Sequence, residues 1–178
     1  MERPIKRAVK KEIQDQLDAV LAAHEQAALE AASAKASRDS AEAEFLKEFL
    51  AHRSSVFRPA LQEMATYLRS KGIESTISET EHESTWHDGE KANASIALRL
   101  GLGDDRLSDL SPDDEADEQP YLALVCNVVG KVVLFLESTK APGRDGHAGP
   151  IGSYYLHQVT TDFIQEKVLA IVSEVFRG

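Results

Sequence analysis

Residues 139–152 read TKAPGRDGHAGPIG, with Gly143, Gly146, Gly149 and Gly152 at intervals of three and Arg144, Asp145 and His147 between them. A phosphate cradle uses such a glycine-rich turn to open a helix, so that free N–H groups and the helix dipole meet the anion. Here the segment runs instead into Ser153, Tyr154 and Tyr155, which read as strand, and no Lys-Ser/Thr pair follows. Collagen needs many more Gly-x-x triplets than this stretch holds. Asp145 and His147, with His157 nearby in sequence, are the right types for an acid–base pair, yet no serine or cysteine stands in a nucleophile context. The reading that remains is a mobile loop whose glycines free the backbone and which displays Arg144, Asp145 and His147 to a partner.

Other reactive side chains are similarly placed. His82, His87 and Asp88, with Glu81 and Glu83, are metal-ligand types, but residues five apart on a strand point to opposite faces. A polar edge hairpin is the reading preferred, and no metal or cofactor is expected. Cys126 lies within the apolar run YLALVCNVV, where burial favours the neutral, inert thiol. The acidic stretch at residues 104–118, including Asp113, Asp114 and Glu115, has no periodic apolar face and reads as a solvated loop able to dock a basic partner.

The elements that must carry these residues fall into two parts. Residues 5 to about 55 contain no glycine or proline and are dense in Ala, Glu, Gln, Lys and Leu, all strong helix formers. Steps of four and three connect Ile13, Leu17, Val20, His24, Ala27, Ala31, Ala34, Arg38, Ala41 and Phe45, which is a heptad seam with an alanine centre. His24 reads as a polar register-setting residue within it. Small seam residues suit close approach of two helices, so Ile13, Leu17, Val20, Ala27, Ala31, Ala34, Ala41 and Phe45 are expected to mediate self-association, with a dimer as the product.

Pro59 marks a boundary, since proline is tolerated in the first turn of a helix and not in its interior. RPALQEMATYLRSKG therefore reads as a shorter helix, or a kinked continuation, stopped at Gly72. The period then changes to two. IESTISETEHESTW and KANASIALRLGL flank an Asp88-Gly89 turn, and the first strand, poor in apolar residues, is expected at the sheet edge. YLALVCNVV and KVVLFLEST, parted at Gly130, read as a second hairpin whose strands are apolar on both faces and so covered on both sides. IGSYYL supplies a possible fifth strand. TTDFIQEKVLAIVSEVF is a closing helix, capped by Thr161 or Asp162, with Ile164, Val168, Ile171, Val172 and Val175 on its buried face.

The expected fold is α+β: a long N-terminal Ala-rich, coiled-coil-like helix over residues 1–56, then a domain over 57–178. That domain holds a four- to five-stranded antiparallel sheet with the C-terminal helix packed on it. The net charge of −10 disfavours nucleic-acid binding by the surface as a whole. A single cysteine excludes an intramolecular disulfide framework and suits a cytoplasmic setting. No stretch approaches the roughly 20 apolar residues of a membrane span. The expected function is a non-enzymatic interaction or assembly module, a homo-oligomer that also binds another protein. The alternatives are a small-ligand or enzymatic site beside residues 140–152 and a DNA-associated regulator using the basic tip at Arg3, Lys6, Arg7, Lys10 and Lys11.

Overall fold

The uninterrupted run of helix formers becomes one 42-residue helix, α1, Lys11–His52. The structure, a computed structural model, describes residues 9–83, 92–102, 119–141 and 145–177. The Asp88-Gly89 turn, Asp113, Asp114, Glu115 and Arg144 lie outside those residues. The chain divides into two compact units, Met1–Ala41 and Glu42–Gly178. In the first, every described residue as far as Ser40 is exposed. The second contains the core, and it includes the last turns of α1, where Phe45 and Phe49 are buried.

A five-residue π-helical turn, Arg53–Phe57, leads from α1 into α2, Arg58–Ser70. Two physical reasons place it there. Pro59 has no N–H and its ring crowds the preceding turn, which a wider turn relieves. Further, eight residues along an α-helix from Phe49 would carry Phe57 about 80° around the axis. One extra residue in the turn restores the alignment, and the rings of Phe49 and Phe57 meet edge to face at 5.5 Å between centroids. The buried stripe then continues through Ala60, Leu61, Ala65 and Leu68. Gly72, at φ 82°, ends the helical segment, with Ile73 N–H bonded back to the Leu68 carbonyl.

Five antiparallel strands follow in sequence order: β1 Glu74–Thr80, β2 Ser95–Gly101, β3 Tyr121–Asn127, β4 Val132–Ser138 and β5 Ala148–Tyr154. As its composition predicts, β1 is an edge strand. A 3₁₀ turn, Leu156–Gln158, precedes the last helix, α3, Thr161–Phe176. The cap of α3 is Thr160 rather than Thr161 or Asp162: its side chain accepts from Phe163 N–H.

The register lines up Ile96, Leu124 and Phe135 across three strands, with Leu98 and Leu122 beside them, all buried. Onto this face pack α2 and α3, side by side, with Ile164, Val168, Ile171 and Val175 of α3 in the core. The expectation that β3 and β4 are covered on both sides is not met among the described residues. Both helices share one face, so Tyr121, Ala123, Val125, Val132, Leu134 and Leu136 on the other remain half-buried.

Candidate functional site

Gly146 and Gly152 do structural duty. The strand expected at Ile151 begins earlier, at Ala148, and pairs with β4 through a bulge between Phe135 and Leu136. A Cβ on Gly146 would lie 2.5 Å from the backbone of Thr139, so only glycine lets this turn close on the end of β4. One on Gly152 would lie 2.6 Å from the Tyr154 hydroxyl and 2.9 Å from its ring. That ring belongs to an edge-to-face cluster with Phe135 and Phe163, at 5.1 and 4.8 Å, joining β4, β5 and α3. The expected mobile loop is therefore, in its described part, a fitted strand entry.

His147 is held at this entry from three sides. Its Nε2 lies 2.6 Å from Glu137 Oε1 on β4, and its Nδ1 lies 3.1 Å from Thr139 Oγ1 and 3.5 Å from Glu174 Oε1 in the last turns of α3. The backbone adds Thr139 N–H to the His147 carbonyl at 2.9 Å and His147 N–H to Thr139 Oγ1 at 3.1 Å. The hydrogen bond to Glu137, reinforced by the charges of Glu137 and Glu174, raises the imidazole above its ordinary pKa. In the charged form both ring nitrogens donate, one toward each carboxylate.

Thr139, His147 and Glu137 thus have the connectivity of nucleophile, base and orienting acid. Their setting is otherwise. Thr139 is only 5% exposed, and its Oγ1 already accepts from the His147 backbone. The imidazole sits at the surface, with its side chain 53% exposed. The arrangement acts as a clamp joining β4, β5 and α3. Asp145, two residues before His147, is exposed, and His157 stacks on Tyr155, with centroids 5.8 Å apart.

A second polar anchor was not foreseen. Arg53, at the head of the π turn and buried, donates to the carbonyls of Thr80 at 3.0 Å and Ser95 at 3.3 Å, and to Glu81 Oε1 at 2.7 Å. Arg58 holds Glu79 beside it at 2.8 Å. The signal was present in the spacing, for Arg53 occupies the buried stripe between Phe49 and Phe57. Glu137 has a comparable signal: it shares the inward-facing parity of β4 with Phe135 through the pairing with Leu122.

Among the described residues no group of three His, Cys, Asp or Glu side chains is arranged to hold a metal. Cys126 is buried, and burial pushes its thiol up to about 11, far from a thiolate at neutral pH. No helix among the described residues is long and apolar enough to cross a membrane.

The heptad residues of the first unit are uncovered as far as Ala34. Ile13, Leu17 and Val20 are 47%, 52% and 64% exposed, and Ala27, Ala31 and Ala34 are exposed with them. Ala41 is half-buried, and Phe45, the last residue of the seam, is buried at 7% exposure in the core of the second unit. No protein family, curated protein or solved structure matches this chain.

Proposed function

We propose that the protein is a non-enzymatic assembly module that self-associates through α1 and offers its α+β unit to another protein. The observation that carries this reading is the exposed seam of Ile13, Leu17 and Val20 on a helix whose first thirty residues have no cover among the described residues. In proteins most helical stability comes from packing an apolar face rather than from propensity, and this seam is such a face. Full burial of an aliphatic side chain contributes about 1.5–3 kcal/mol, and a helix–helix contact gains the part of this that its buried area supplies. The alanines of the seam permit close approach.

The closed clamp around His147 favours interaction over catalysis at residues 139–152, since the imidazole is already committed to Glu137 and Glu174. Partner contact is assigned to Asp145, which is exposed, together with Arg144 and the acidic Asp113, Asp114 and Glu115. The test of self-association uses the full chain. Leu17→Glu places a charge in the seam without touching the core, and light scattering should show the assembled species of the parent shifting to monomer. A parent that is already monomeric at micromolar concentration contradicts the proposal.

A further inference from the structure

We infer that the occupant of the α1 seam is a second copy of the same helix running antiparallel, in a register centred between Glu25 and Gln26. The inference rests on the self-association proposed above and adds its geometry.

The seam is lopsided. Its large residues, Ile13, Leu17, Val20 and His24, lie toward the N-terminus, and Ala27, Ala31 and Ala34 lie toward the other end, all of them exposed. Helix spacing follows the side chains at the contact. A parallel, in-register pair would stack large on large and alanine on alanine, so one end would hold the axes apart while the other could close only by bending. It would also set His24 on His24, Arg38 on Arg38 and Lys10 beside Lys10. Like charges at such positions oppose pairing.

Running the second copy the other way removes both faults. Leu17 then faces Ala34, Val20 faces Ala31 and His24 faces Ala27, so each layer joins one large side chain to one small one at a single spacing. On the flank, Leu21, itself exposed, lies over Ala28. At the ends Arg38 meets Ile13, where its aliphatic stem covers the isoleucine while the guanidinium reaches water. Lys10 comes opposite Ala41, between Glu42 and Glu44, so unlike charges meet where the parallel pair sets like ones together. Twofold symmetry makes every such contact twice. The parallel pair offers in return one exposed Glu30–Lys35 attraction, which salt screens.

The test places a spin label at Gln14→Cys in the full chain, with the unsubstituted protein, whose Cys126 is buried, as the unlabelled control. Sedimentation on the same samples gives the species present. The antiparallel register puts the two labels about 35 Å apart along the axis at about 1.5 Å per residue, whereas a parallel pair keeps them within about 20 Å. Mixing in Lys35→Cys protein should add a short distance, because Gln14 and Lys35 face each other across the antiparallel pair. A dimer that gives the short distance with Gln14→Cys alone, or neither distance, overturns the orientation and leaves self-association standing. A monomer in sedimentation overturns both.

Discussion

At the scale of single residues, the structure turns a glycine-rich segment with three charged side chains into a fitted strand entry. His147 carries its raised pKa from Glu137 and Glu174, so it should titrate above the ordinary histidine range of about 6.5 in a proton-detected NMR titration. Glu137→Gln should bring it back down, and a His147 that titrates at the ordinary value in the parent contradicts the clamp. Because the folded-state pKa is the raised one, the clamp's stabilisation is fully present below the unfolded value and is lost as pH rises through the folded value. Gly146→Ala drives a methyl into the Thr139 backbone at 2.5 Å and should cost about 1–3 kcal/mol in urea unfolding. An unchanged midpoint would show that the turn has room to give. These residues were visible in the sequence as glycines and charges, but their partners were not. Glu137 and Glu174 stand ten residues before His147 and twenty-seven after it, and only the β4–β5 pairing with the seating of α3 brings them together.

Among the elements, what periodicity controls was legible and what the third dimension controls was not. The absence of glycine and proline marks α1, alternation marks β2, and the continuous apolar runs either side of Gly130 mark β3 and β4. The polar composition of IESTISET placed β1 at the edge. The π turn escaped because its cause is distributed: Pro59 needs a wider turn, and the stripe from Phe45 through Leu61 needs one extra residue to stay in line. The double apolar character of β3 and β4 implied two covers, yet packing α2 against α3 puts both on one face. Arg53 ties this helical arm to the β1–β2 end through the Thr80 and Ser95 carbonyls. Arg53→Met keeps much of the aliphatic stem but withdraws those donors, and an expected loss of about 1–3 kcal/mol follows from leaving buried polar groups short of partners. Thermal unfolding that matches the parent would place the anchoring elsewhere.

On the scale of the whole molecule, the chain has two units with different sources of stability. Glu42–Gly178 has its own core, built where the sheet meets α2, α3 and the phenylalanines at the end of α1. In the unit Met1–Ala41, the apolar residues from Val9 to Ala34 are all exposed. A deletion meant to remove the associating segment should therefore end at Ala41, because the longer cut at residue 56 would strip Phe45, Phe49 and Arg53 from the core. The central claim is that the exposed seam is satisfied by a second chain, and sedimentation equilibrium of the full-length protein tests it most directly. A mass of twice the 19.5 kDa chain is expected at micromolar concentration, returning to that of one chain with Leu17→Glu. A parent that sediments as a single chain over the same range contradicts it.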